Sequence, residues 1–205
     1  RHIRFGARPT DSDRPEPDRL ALCVGQMAEL RIAARSEEPI VVASTAPEIV
    51  TVADSPPREG PADAGASATA QRRVVARGEG EARIEVIQGD ARRTVEVAVG
   101  PAALKSLTLE PARLVVPVGE SARPRLFGTL DSGQRVELSP ELAVAERVPS
   151  PRYVLLDSRS LALHGVEPTP PGAPQSLGVR FGGQSAAAQV EVVAGSRPAD
   201  ALGPV

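Results

Sequence analysis

Two histidines, one cysteine and several groups of carboxylates are the residues of this 205-residue chain that could do chemistry. Nucleophilic catalysis of the Ser-His-Asp or Cys-His kind needs an imidazole beside the nucleophile. His2 stands at the very start of the chain, and His164 alternates with apolar neighbours ahead of Gly165, a strand pattern that places it on a solvent face. Cys23 lies in the apolar run Leu20-Ala21-Leu22-Cys23-Val24; it has no second cysteine to pair with and reads as a small buried hydrophobe. The same scarcity of His and Cys argues against zinc, which takes three or four such ligands. Asp11, Asp13, Glu16 and Asp18 could offer oxygen ligands to calcium, but they lack the spacing and glycine of an EF-hand loop and are interleaved with Arg14 and Arg19. They read as a solvated charged loop, as do Asp54, Glu59 and Asp63. Glu79 and Glu81 are carboxylates of the type glycosidases use, with no pattern that sets them in a cleft. Gly78-Glu79-Gly80 and Gly182-Gly183 are too short to cradle a phosphate and read as turns or bulges. The sequence therefore assigns no catalytic, cofactor-binding or metal-ligating residue, and the expectation is a protein that is not an enzyme and needs no cofactor.

Partners are bounded by charge. The 24 basic and 26 acidic residues nearly cancel, so no net field draws the chain to nucleic acid or anionic lipid. No apolar run approaches the ~18 residues of a membrane helix, so no membrane insertion is expected. The chain begins at Arg1 without a signal segment and reads as a fragment of a longer one.

The elements that would position these residues are short strands. Aromatics make up 2% of the chain, so its cores must be aliphatic, and 21 prolines with 18 glycines leave little room for uninterrupted helices. In Ala82-Arg83-Ile84-Glu85-Val86 the apolar and charged residues fall on opposite faces, and Val95, Val97 and Val99 repeat the pattern around Glu96. Gln88-Gly89-Asp90 between those runs, and Asp131-Ser132-Gly133 between Leu126-Phe127 and Val136-Glu137-Leu138, predict antiparallel hairpins. Pro140–Val148 could alternatively form two helical turns with Pro at the start, as a connector only.

The strands recur. Leu22-Cys23-Val24-Gly25-Gln26 resembles Val116-Pro117-Val118-Gly119-Glu120, with Gly25 and Gly119 94 residues apart. Gly89-Asp90-Ala91 leading into Val95-Glu96-Val97 parallels Gly183-Gln184-Ser185 leading into Val190-Glu191-Val192. Between them, Glu48–Val52 matches Tyr153–Asp157 and Arg73–Gly78 matches Ser160–Gly165, so that Gly78 pairs with Gly165. The first copy carries a longer insert, residues 53–70; the second regains length over 166–176. The expected division is 1–100, 101–195 and a tail or linker at 196–205, with Gly100-Pro101-Ala102 as a short joint that makes the pair semi-rigid.

Each copy resembles the bacterial Ig-like group 2 domain. In the first, Val24-Gly25, the turn and strand Ala43-Ser44-Thr45-Ala46-Pro47-Glu48-Ile49-Val50-Thr51-Val52, the run Val74–Ile84 and Val95-Glu96-Val97 supply that family's parts in order. The second keeps Val118-Gly119, Leu130-Asp131-Ser132-Gly133, Gly165 and Val190-Glu191-Val192, while Pro168-Thr169-Pro170-Pro171-Gly172 interrupts the step from glycine to strand. The family's tryptophan is absent from both. The resemblance implies an all-β fold of two tandem Ig-like antiparallel β-sandwiches. It also implies a non-catalytic spacer or scaffold in a larger exported bacterial protein, extracytoplasmic, with neighbouring domains of the parent chain as partners. The alternative is an adhesion module that grips a protein or glycan through end loops such as 53–70. Phe5, Phe127, Tyr153 and Phe181 are all the aromatics on which a sugar could stack.

Overall fold

The computed structural model describes residues 2–4, 18–33, 38–54 and 69–195. Among the described residues the structure is all-β apart from one 3-10 turn, and the chain divides into two compact units, Arg1–Ala102 and Ala103–Val205.

In the first unit the strands are β1 (His2–Arg4), β2 (Asp18–Cys23), β3 (Met27–Ala33), β4 (Ile40–Ser44), β5 (Val50–Asp54), β6 (Thr69–Ala76), β7 (Gly80–Gln88) and β8 (Ala91–Gly100). They form two four-stranded sheets, β1-β3-β6-β5 and β2-β8-β7-β4. Alternation builds the core: Ala82, Ile84 and Val86 of β7 and Val95, Val97 and Val99 of β8 point inward to meet Leu30, Ile32, Val50 and Val74 of the facing sheet. Each of the Val, Leu and Ile side chains contributes about 1.5–3 kcal/mol on full burial. The β7–β8 hairpin closes on Gly89-Asp90, with Gly89 at φ 56°, the first-position glycine that tight hairpin turns favour.

The second unit contains β9 (Leu104–Glu110), β10 (Arg113–Pro117), β11 (Ser121–Ala122), β12 (Arg125–Leu130), β13 (Arg135–Leu138), β14 (Val144–Arg147), β15 (Val154–Asp157), β16 (Ala162–Gly165), β17 (Gln175–Phe181) and β18 (Gln184–Val193). The sheet β10-β18-β17-β14 repeats β2-β8-β7-β4, strand for strand. The opposite face differs, because β11 stops after two residues ahead of the buried Pro124 and the chain pairs instead in β13-β12-β9, leaving β11-β16-β15 as a separate small sheet. Both predicted hairpins are present, and Gly182 and Gly183, at φ 54° and 79°, close a third between β17 and β18. Pro140 starts a 3-10 turn of three residues, after which Val144–Arg147 is strand, so the helical alternative is confined to that turn.

Among the described strands pairing is antiparallel except where β2 lies beside β8, β10 beside β18 and β1 beside β3; an isolated parallel bridge also joins Val118 to Gly165.

Hydrogen bonds correct the register of the repeat. Gly25 N–H donates to Ala76 C=O at 2.7 Å, and Gly119 N–H donates to Gly165 C=O at 2.9 Å, so Gly165 corresponds to Ala76 and not to Gly78. Leu20 pairs with Val97 as Leu114 pairs with Val190, which makes Val97 the counterpart of Val190 in place of Val95. Both shifts are of two residues, which preserve the inward face and so leave an alternating pattern looking the same. The shift at β5 is of one: Val50 N–H bonds Ala46 C=O as Val154 N–H bonds Ser150 C=O, so Val154 matches Val50, both buried.

Candidate functional site

Those residues singled out in the sequence that lie among the described residues do not converge. Cys23 is buried at the end of β2, and desolvation raises its thiol pKa above the ordinary value, against a smaller lowering by a backbone hydrogen bond. His164 is exposed on β16, with Nδ1 3.1 Å from Ser121 Oγ across the pair with β11. Glu79 and Glu81 are exposed on either side of Gly80, and Asp54 is paired with Arg72 at 3.0 Å. Asp18 lies on β2, whereas Asp11, Asp13, Glu16, Glu59, Asp63, Phe5, most of the 53–70 insert and the 196–205 tail lie outside the described residues. Among the described residues no group of three or more His, Cys, Asp or Glu is placed to hold a metal ion. Of the other aromatics, Phe181 is buried, Tyr153 is half-buried beneath Arg152, and Phe127 lies under two guanidinium groups, Arg135 at 3.9 Å and Arg125 at 4.9 Å from its centroid. Among the described residues no helix is long and apolar enough to cross a membrane.

A concavity of about 730 Å³ opens on the outer face of β2-β8-β7. Register explains it. Arg19, Glu96 and Arg83 stand side by side in one cross-strand row, and Ala21, Ala98 and Glu81 form the next, so two alanines leave a floor between long charged side chains. Arg19 Nε lies 3.3 Å from Glu96 Oε2 with its side chain 82% exposed. At the end of the row Thr45 N–H donates to Arg83 C=O at 2.9 Å, and Thr45 Oγ1 accepts from Arg83 N–H at 3.1 Å. Such a face offers an exposed ion pair worth about 1 kcal/mol or less, and among its described residues no nucleophile beside a base. Sequence reading missed it, although the alternation of β2, β7 and β8 already puts these residues on one face; their pairing across strands is what the sequence did not contain.

Several perturbed ionisable groups lie on the exposed surface of the second unit. Arg152 bonds Glu167 in a two-pronged pair at 2.9 and 3.0 Å, which holds the Glu167 carboxyl below its ordinary value and raises the guanidinium. The Ser160 hydroxyl and the Arg159 N–H hold the Asp157 carboxyl low in the β15–β16 turn. These pairs clasp strand ends.

The class that this geometry defines is an all-β protein of two Ig-like sandwich units. No protein-family model matches the chain, and no curated protein does. Among solved structures it is similar to domains 5–6 of the S-layer protein SbsC, at 16% identity and TM-score 0.37, over 87% of this chain and 95% of that one. It is also similar to the Yersinia pseudotuberculosis adhesin InvE, at 14% identity and TM-score 0.34 over 86% and 57% of the two chains. A third likeness is to the I9-I11 tandem of titin, at 9% identity and TM-score 0.29 over 88% and 65%. These are partial likenesses, and the architecture rests on the chain's own strand order.

Proposed function

We propose that the chain is a tandem of bacterial Ig-like group 2 domains, 1–100 and 101–195 with 196–205 as tail, that serves as a non-catalytic spacer in a larger exported bacterial protein. The observation that supports this most is the parallel pairing, in each unit, of the second strand with the last. In the first unit β2 and β8 run side by side from Asp18 opposite Val95 to Cys23 opposite Gly100. In the second unit β10 and β18 do the same from Arg113 opposite Gln189 to Pro117 opposite Val193. Tension on the ends of a parallel pair pulls its strands along each other, so every hydrogen bond of the ladder is loaded together; an antiparallel hairpin pulled at its open end would yield one bond at a time. A module that spaces or tethers its neighbours under load needs that arrangement.

The test is to stretch single molecules of the chain between handles at its two ends. Two discrete unfolding events are expected, and Leu114→Pro in β10 should lower the force of one of them alone. Extension without discrete events would overturn the spacer reading. So would a screen of proteins and glycans that found a ligand whose binding vanished on deletion of residues 55–68 while the melting temperature held.

A further inference from the structure

An edge strand leaves one row of backbone N–H and C=O groups without a sheet partner, and folded proteins blunt such rows with charge, proline, bulges or brevity. Every other edge strand among the described residues carries at least one charged residue, except β11, which is two residues long. β4 has none of these devices. Ile40-Val41-Val42-Ala43-Ser44 contains no charge and no proline, keeps unbroken register with β7, and has no described strand on its other side. Its counterpart in the second unit, β14, is defended twice over: it carries Glu146 and Arg147, and it is bulged between Ala145 and Arg147 against Gly178.

The ladder fixes which groups face outward. Thr45 N–H donates to Arg83 C=O as the continuation of β4 against β7, so the residues in step with it, Val41 and Ala43, direct their backbone groups to β7. Ile40, Val42 and Ser44 therefore turn theirs to the free edge. Val41 is 55% exposed on the outer face of the same strand.

We propose that β4 is the place where a second copy of this chain adds, the two β4 strands pairing antiparallel about a two-fold axis at Val42. A two-fold interface must complement itself. With Val42 opposite Val42, Ile40 falls opposite Ser44 and Val41 opposite Ala43, and the outward groups of Ile40, Val42 and Ser44 on both strands meet in about six hydrogen bonds. No like charges are opposed, because the strand has none and Glu38 falls opposite Ala46 of the second copy. A neutral β-branched strand is thus the partner whose charge and shape this edge fits, and its own copy supplies one.

Sedimentation equilibrium of the full chain tests this. The mass is expected to rise with concentration from that of one chain toward two. Val42→Pro removes an N–H that β7 does not use, so the monomer should keep its circular dichroism spectrum while association falls by roughly tenfold or more. Val41→Lys, at an exposed position, should weaken association most at low salt. Val144→Lys on β14 should leave it unchanged. A wild-type chain that stays monomeric at every concentration overturns the proposal, as does a dimer that both Val42→Pro and Val41→Lys leave intact; should Val42→Pro fail to fold, Val41→Lys decides alone.

Discussion

Thr169 Oγ1 lies 3.3 Å from both the amide nitrogen and the carbonyl oxygen of Val192, and the Thr169 N–H donates to that same carbonyl at 3.0 Å. In the first unit the equivalent strand position, Val99, is paired by Gly80 of β7. In the second unit β17 begins only at Gln175 opposite Val190, so Val192 would be left without a strand partner on that side. A single threonine, accepting from the N–H and donating to the C=O, takes the place of the missing residue pair. The proline-rich 168–172 segment can then leave the sheet without stranding buried backbone groups.

Thr169→Val tests that substitution of side chain for strand. It keeps shape and removes the hydroxyl, stranding the buried Val192 N–H, so urea denaturation should show a loss of about 1–3 kcal/mol. Thr169→Ser, which keeps the oxygen, should recover most of it. A Val variant as stable as wild type would mean that the hydroxyl is not the partner.

Glycines at the repeated turn separate two causes of intolerance. Gly119 has φ 83° and open space where a Cβ would stand, with nothing within 4 Å, so Gly119→Ala should cost about 1–2 kcal/mol from backbone conformation alone. Gly165 has ordinary φ, but a Cβ there would sit 2.6 Å from Pro117 O and 3.2 Å from a Val192 methyl. Gly165→Ala should therefore cost more than Gly78→Ala, where the nearest atom, Glu48 O, is 3.1 Å away. Thermal melts of the three variants give the order directly; a Gly165→Ala chain as stable as wild type would refute the close approach.

Much of this fold was legible in the sequence because period-two alternation and turn glycines are local signals. The β7–β8 and β12–β13 hairpins, the burial of Cys23 and the exposure of His164 all follow from neighbours a few residues away. What was not legible is pairing between distant strands. Gly78 looked like the partner of Gly165 because both are glycines after an apolar run, yet the reason at Gly165 is the approach of Pro117 and not a left-handed turn. The row Arg19, Glu96, Arg83 was invisible for the same reason, since its members come from three strands.

Phe127 offers a test of cover on the exposed sheet β13-β12-β9. Arg135 of β13 reaches over the ring to pair with Glu110 of β9, and Arg125 pairs with Glu137, so the aromatic is shielded by two ion pairs. Arg135→Ala should cost about 0.5–1 kcal/mol through the lost cation–π contact. Binding of a hydrophobic dye should rise as the ring is uncovered. An unchanged stability together with unchanged dye binding would show the contact to be incidental.

The β15–β16 turn makes a prediction about acid. Asp157 Oδ1 accepts from Arg159 N–H at 3.0 Å, its other oxygen accepts from the Ser160 hydroxyl, and that hydroxyl in turn accepts from Ala162 N–H at 3.2 Å. All of these favour the charged carboxylate, so its folded pKa lies below the unfolded value of about 3.9. A depressed carboxyl contributes stability that is present above the unfolded pKa and is lost as pH falls through the folded one. The turn also holds Leu161 at φ 57° with its side chain fully buried, a left-handed conformation that an apolar residue adopts only when its surroundings enforce it. Protonating Asp157 should therefore loosen the Leu161 anchor first, seen as faster amide exchange at Arg159 and Ala162 below about pH 4, ahead of global unfolding. Ser160→Ala should move the Asp157 carboxyl upward in an NMR titration and shift the onset of that exchange to higher pH. A carboxyl that titrates at the same pH in both chains would show that the hydroxyl does not hold the turn.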